Sequence, residues 1–544
     1  MEMGKWQTKK QLKNLLRDLV AIPSVTGSQA EIEFPKYVHR QLNSLPYFQQ
    51  HLDHLQLCPT GDGRESVMAL VKQTEDVRKT VILVSHFDVV DVEDYGTWKE
   101  SAFDIDRITN LFYEAKEDFS EEMIKEMESS EWLFGRGTMD MKCGLALHMS
   151  MIEQATEGVF DGNLLLLTVP DEEVNSVGMR SAVPALLAFA KKYQLEYRAV
   201  LNSESMFTRF PGDENKYIYT GTIGKVLPGF LCYGDETHVG EPFLGLNANF
   251  MASKISCEME LNTTFCEVVE GEATPPPTSL IQKGLKKDYS VQIPHRAVTL
   301  FNLFVLEKKM DDLVHSLLET AEKVATDIKR TYESHAQNYV KYEPYTPQSV
   351  DVRVLTYQDL LHYAIETHGQ SHVEQLERRI LEQKGPDLDE RDVTIELVDE
   401  LSILCKELAP MIVLFFAPPY YPAICSRNHP LIQRVTEEMI QHAKENHDIS
   451  LQKINYFGGI SDLSYVGLQY PIESLQPFVT NMPLWEKGYT VPLQELEEFD
   501  IPVINLGSVG KDAHQRTERL DVTYTAEILT ELLPTCIHKL LEEV

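Results

Sequence analysis

Histidines and carboxylates recur in this chain where apolar runs stop. Val81-Ile82-Leu83-Val84-Ser85 leads straight into His86-Phe87-Asp88. The run at 164–169 ends in Pro170-Asp171-Glu172-Glu173, and Ala199-Val200-Leu201-Asn202 delivers Glu204. A further run, Ile501-Pro502-Val503-Ile504-Asn505-Leu506, leads through a glycine-containing loop to His514. Between the first two lies a glycine-bounded turn, Gly135-Arg136-Gly137-Thr138-Met139-Asp140-Met141-Lys142, centred on Asp140. Singly, each of these residues is an ordinary turn former or cap. Jointly they point to one place, because the ends of parallel strands open onto a single crevice, where α/β folds bind ligands.

The residue types suggest the chemistry. His86 and Asp88 are two apart at a strand end, so both side chains lie on one side of the chain and the carboxylate can hold the imidazole and set its tautomer. The adjacent Glu172 and Glu173 point in different directions, which lets one bind a metal while its neighbour faces a substrate. With Asp140, Glu204 and His514 they make a nitrogen and oxygen set without sulfur, suited to zinc, with cobalt or manganese as alternatives. Five ligands with one shared carboxylate suffice for two ions. Two divalent ions about 3.5–4 Å apart lower the pKa of a bridging water and polarise a carbonyl. A free carboxylate beside that water can carry its proton to a leaving nitrogen.

The elements that would position these groups follow from periodicity. Residues 1–218 alternate short apolar strands with helical patterns, as βαβ units on a mainly parallel sheet do. The charged stretch 104–131 interrupts them and is expected to be an exposed excursion. After Met141 a helix with an apolar face opens, and His148 within it reads as a packing or surface histidine. The middle, 219–423, has β-like runs punctuated by glycines, a strand at 298–305, helical patterns at 309–334 and 357–384, a charged loop at 385–392, and an apolar strand from Met411 that ends at Pro418-Pro419. From Asn428 the first pattern resumes, with a helix at 430–445 and a closing helix from Thr525. The expected organisation is therefore an α/β catalytic domain split into 1–218 and 424–544, with helices on both faces of its sheet, and an inserted α+β domain at 219–423.

Composition excludes several classes. In 544 residues, 50 basic side chains face 84 acidic ones, a formal net charge of -34, which disfavours nucleic acid and anionic membrane surfaces as partners. No run approaches the roughly 18 apolar residues of a membrane span. The N-terminus interleaves Lys5, Lys9, Lys10, Lys13 and Arg17 with leucines at helical spacing and lacks an apolar leader core, so a cytoplasmic protein is expected. The eight cysteines are scattered without a CxxC pair, which signals neither a disulfide framework nor a thiolate zinc site.

The segments His86-Phe87-Asp88, Gly135 to Lys142, Asp171-Glu172-Glu173, Ser203-Glu204, Gly458-Gly459-Ile460-Ser461-Asp462 and Ala513-His514-Gln515-Arg516-Thr517-Glu518 resemble, in order and context, the M20 metallopeptidase family. The enlarged middle and the acidic insertion look most like its RocB-type arginine-utilisation branch. The resemblance implies two-metal hydrolysis of an amide bond, by hydroxide held between the metals, in a small N-acyl amino acid or dipeptide. It implies that Asp140 bridges two metals, that His86 and Glu204 complete one site, and that Glu173 and His514 complete the other. Glu172 would be the general acid/base and Asp88 the residue orienting His86. Tyr233-Gly234-Asp235-Glu236-Thr237-His238 looks like the family's lid motif, whose histidine reaches the partner subunit's active site, so a homodimer is implied. The family's D-x-R pattern in the lid strand is missing, with Asn302 and Phe304 at the matching positions and Arg296 poorly placed to substitute. That departure motivates an alternative, a non-catalytic metal-binding dimer of the arginine pathway. A third reading makes Cys143 the nucleophile of a cysteine hydrolase beside His148.

Overall fold

The computed structural model describes residues 4–210, 212–286, 290–383 and 389–543. The chain divides into two compact units, the first made of Met1–Ile223, Ala423–Gln469 and Pro492–Val544, the second of Gly224–Pro422 and Tyr470–Val491. The chain therefore crosses between units twice more than expected from the sequence: residues 470–491, placed above with the 424–544 part, pack within the second unit.

The first unit is built on an eight-stranded sheet in the order Leu55–Pro59, Glu65–Val71, Asn163–Val169, Lys79–His86, Glu196–Asn202, Val503–Asn505, Lys216–Tyr219, Leu451–Ile454. Its centre, from Asn163–Val169 to Val503–Asn505, is parallel. Successive strand residues face opposite sides of a sheet. Val81 and Leu83 accordingly join one core cluster with Leu145, Leu147, Leu532 and Leu533, while Ile82 and Val84 are equally buried on the other side. Burial on both faces explains why these strands read as unbroken apolar runs. The register then decides what meets at their ends: His86 lies opposite Val169, and Val84 opposite Asn202. Helix Lys9–Val20, capped by Thr8, buries Leu12, Leu15, Leu16 and Leu19 as its pattern predicts. The closing helix is Thr530–Leu541, entered through a π-helical turn at Tyr524–Leu529.

The acidic stretch is not a bare excursion. It folds into helices Ile105–Glu114 and Glu121–Ser129, and Ile108, Phe112, Met123 and Met127 join Tyr95, Trp132 and Phe134 in a separate small core. Its charges mark the solvated faces of helices whose other faces are apolar.

The second unit has a five-stranded sheet in the order Thr278–Gly284, Arg296–Val305, Gly224–Tyr233, Met411–Tyr421, Arg353–Thr356. The helix Met310–Tyr339 follows the second of these in the chain. The helical pattern at 357–384 is two helices, Tyr357–His368 and Gln370–Glu382, parted at Gly369 with φ +86°. The strand from Met411 does not stop at Pro418-Pro419 but continues to Tyr421, with an irregularity in its pairing after Ala417 that accommodates residues lacking an N–H. Of the expected loop at 385–392, residues 385–388 lie outside the described residues. Asp389 caps the helix Glu390–Leu404 by accepting from the Arg391 and Asp392 N–H groups. Among the described residues no helix is long and apolar enough to cross a membrane.

Candidate metal centre

His86 is the last residue of its strand, and its ring is buried. Nδ1–H donates to the main-chain carbonyl of Asp88 at 3.0 Å. That leaves Nε2 as the free lone pair, 3.1 Å from Asp140 Oδ1 and 3.7 Å from Glu204 Oε1. Asp140 turns its other oxygen the opposite way, with Oδ2 3.2 Å from His514 Nε2, and the same nitrogen lies 2.9 Å from Glu173 Oε2. Two groups of donors result, His86–Asp140–Glu204 and Asp140–Glu173–His514, each with its ligand atoms within 4.8 Å of one another. They share only Asp140, one oxygen to each side.

Asp88 departs from the expectation for its side chain. Its carboxylate stands 3.6 Å from His86 Nδ1 and is used elsewhere. Oδ1 accepts from the Glu172 N–H at 3.0 Å, while Oδ2 accepts from the Glu173 N–H at 3.3 Å and from the Thr26 hydroxyl at 2.8 Å. Asp88 thus orients the imidazole through its backbone and the Glu172-Glu173 turn through its side chain.

Glu204 is placed by close backbone contact. A Cβ on Gly507 would fall 1.9 Å from the Glu204 carbonyl oxygen, and one on Gly144 would fall 2.7 Å from that of Ser203. Only glycines allow the helix Lys142–Thr156 and the loop after Val503–Asn505 to approach this strand end so closely. Glu172 follows Asp171, which adopts φ +68° and is held by Arg64 at 2.7 Å and the Val177 N–H at 2.9 Å. Arg64 also pairs with the buried Glu31 at 3.2 Å. The Asp140 turn is fastened by Glu518, which accepts from Arg136 at 2.6 Å and from the Gly137 N–H at 2.7 Å.

The electrostatics call for cations. Burial raises the pKa of Glu204 to about 8, and burial also raises Glu173. Glu172, with Oε2 3.9 Å from His86 Nε2, is raised well above its ordinary value, first by burial and then by the negative neighbours Asp462, Glu173 and Glu204. For Asp140 burial acts in the same sense, but the two imidazoles outweigh it and hold the group below the usual carboxylate range. Glu204 Oε2 is buried with no hydrogen-bond partner. A buried carboxylate oxygen left in that state is costly unless something positive binds it. The donor set, two imidazoles and three carboxylates without sulfur, fits two divalent ions.

Several groups here carried no role from sequence. Asp462 is 2% exposed beside Glu172; burial, ahead of its charged neighbours, pushes it up to about 7, and the Ser176 hydroxyl favours its anion. Arg64, Glu31 and the Arg136–Glu518 pair have no periodic signal and are found only by tertiary contact. His148 is a packing histidine: Nε2 lies 2.9 Å from the Ser203 hydroxyl, and burial pushes its pKa down to about 3. Cys143 is buried, and burial pushes its thiol up to about 12, away from the thiolate that a cysteine hydrolase uses. His238 belongs to the second unit, where it is exposed and accepts from the Gly240 N–H at 3.1 Å. Arg296 is committed to Asp399 at 2.5 Å.

The family described as Peptidase family M20/M25/M40 matches residues 82–483, most of the chain and all of the donors except His514. The chain belongs to this family. The chain is similar to the uncharacterised protein YqjN of Bacillus subtilis, 47% identical over 99% of this chain and 98% of that protein. Protein RocB of the same organism is 30% identical over 98% of this chain and 95% of its own length. Among solved structures, the dipeptidase Dug1p of Saccharomyces cerevisiae aligns over 98% of this chain and 96% of that one, with a TM-score of 0.53 at 12% identity, a likeness of fold. The M20 architecture is accordingly a split α/β catalytic domain with an inserted α+β domain.

Proposed function

We propose that this M20 member is a two-metal hydrolase, zinc-dependent with cobalt or manganese as substitutes, that cleaves the amide bond of a small N-acyl amino acid or dipeptide. The observation that carries the reading is Asp140, with one carboxylate oxygen toward each histidine and Glu172 alongside. When bound, the ions would acidify a shared water and polarise the scissile carbonyl. The chain's own groups supply the rest. His86, Glu204, Glu173 and His514 hold the ions on either side of Asp140. Glu172, which burial makes readier to hold a proton than an ordinary carboxylate, takes the proton from the attacking water and delivers it to the leaving nitrogen. Glu172 and the donors other than His514 are largely kept from solvent, which strengthens the charge interactions among them.

The proposal extends to assembly. The second unit would serve as lid and dimerisation domain of a homodimer, with His238 stabilising the oxyanion in the partner subunit's site. A place in arginine utilisation belongs to the same proposal, on the resemblance of the enlarged middle and acidic insertion to the RocB-type branch. The eight cysteines, all free, suit the reducing cytoplasm.

The test is elemental analysis of the purified protein, followed by hydrolysis of a panel of N-acyl amino acids and dipeptides before and after chelation. Two metal equivalents and chelator-sensitive amine release are expected. Glu172→Ala should lower turnover by about 10²–10⁴-fold with metal content intact. Undiminished activity in that variant would refute the assignment, and metal without turnover on any substrate would favour the non-catalytic binding protein.

A further inference from the structure

The five donors are not held alike, and the difference assigns a task to the acidic insertion. His514 is the outlier, with a side chain 49% exposed and a backbone at φ +62°. It sits outside the eight-stranded sheet, in the loop between the short strands Gly510–Lys511 and Arg519–Asp521. These pair with each other, and the second pairs with Trp132–Phe134, the strand that closes the insertion. A non-glycine residue in the left-handed region is strained and persists only where its surroundings over-determine it.

The hairpin that carries His514 is tied in turn to the insertion. Glu126, on the helix Glu121–Ser129, accepts from both strands of the hairpin: from Lys511 Nζ, and from Arg519 Nη2 at 2.6 Å. Arg519 is buried, and its Nη1 continues the chain to Asp512, which also accepts from the Thr517 hydroxyl at 2.8 Å. Asp512 and Thr517 bracket His514 on either side. The Arg519 guanidinium lies 5.5 Å from the Trp132 ring, whose indole N–H donates to the Glu126 carbonyl at 2.8 Å. Arg516, two residues beyond His514, lies 5.8 Å from the ring of Phe119, which is also in the insertion.

We propose that the acidic insertion at 104–131 is the brace of one metal half-site, and that Glu126 is a positioning residue that acts through Arg519 and Asp512 to hold His514 in place for its ion. This rests on the reading of His514 as a metal ligand. Its consequence is asymmetric: loss of the brace should weaken the Asp140–Glu173–His514 side and spare the His86–Asp140–Glu204 side, whose donors come from strand ends and the Asp140 turn.

The experiment titrates cobalt(II) into the full-length apoprotein, followed by calorimetry and visible absorption, with His514→Ala and His86→Ala identifying which equivalent belongs to which side. Glu126→Ala should weaken the equivalent that His514→Ala removes by about 10–100-fold, as loss of a residue supporting a ligand does, and leave the other within about twofold. In a His514→Ala background Glu126→Ala should have no further effect on cobalt binding, which separates positioning from general destabilisation. Arg519→Lys, which keeps the charge but cannot span Glu126 and Asp512 with a fork, should shift the same equivalent even if Glu126→Ala folds poorly. Equal weakening of both equivalents, or no change in either, would overturn the proposal. A wild-type protein that takes up no cobalt would remove the hydrolase reading as well, so the two failures are distinguishable.

Discussion

The two halves of the proposed metal centre are built by different means. The His86–Asp140–Glu204 half has all three residues buried, with His86 at the end of a parallel strand and Glu204 two residues beyond its neighbour. The Asp140–Glu173–His514 half draws both its own donors from loops, and His514 is half exposed. In the first, the hydrophobic packing that builds the sheet also aims the ligands. In the second, aim depends on ion pairs such as those from Glu126 to Arg519 and Lys511. A core-built half resists local change and fails with the fold; a brace-built half can be weakened one contact at a time.

Breaking both halves at once should have the largest effect. Asp140→Ala removes the only shared donor, so both metal equivalents should be lost on elemental analysis and hydrolysis should fall by roughly a thousandfold or more, since neither water activation nor carbonyl polarisation would survive. Retention of one full equivalent would mean that the halves do not depend on a common carboxylate. Asp88→Ala comes next. It leaves the His86–carbonyl bond possible but frees the Glu172 and Glu173 N–H groups, so kcat should fall about 10–100-fold, with the loss concentrated on the Glu173 side in a cobalt titration.

The comparison sharpens with a change that touches no donor. Leu83→Ala, in the fully buried strand that ends at His86, should cost about 2–5 kcal/mol in urea unfolding and show its metal defect only as the fold is lost. A selective loss of the His86-side equivalent from a fully folded variant would contradict a core-built half. Smallest of all, Glu128→Gln on the insertion helix, where Glu128 pairs with the exposed Lys116 at 3.1 Å, should leave stability within about 0.5 kcal/mol and both equivalents intact. An effect as large as that of Glu126→Ala would show that the insertion acts by its charge and not by its contacts.

Much of the first unit is legible in the chain because its strands are buried on both faces. Runs such as 81–85 and 164–169 have no polar alternative to burial, and the polar residues that end them mark where the sheet stops. The second unit was harder to divide: helical periodicity continues across Gly369, and apolar character continues through Pro418-Pro419, so neither the helix break nor the strand's full length shows locally. The insertion misled for a related reason. Its acidic residues dominate the count, whereas Ile108, Phe112, Met123 and Met127 lie at helical intervals among them and build a core of their own.

By itself the sequence determined the α/β character of the first unit and the kinds of donors at its strand ends, because apolar periodicity and residue type are local properties that survive without coordinates. Which atoms meet was decided only in three dimensions. That the Asp88 carbonyl and not its carboxylate receives the imidazole depends on the path of the chain after His86. That Glu126 reaches Arg519, 393 positions away, depends on two short strands, Trp132–Phe134 and Arg519–Asp521, pairing across most of the chain. Backbone direction and long-range ion pairs leave no periodic trace, since each is set by surfaces that exist only after the core has packed.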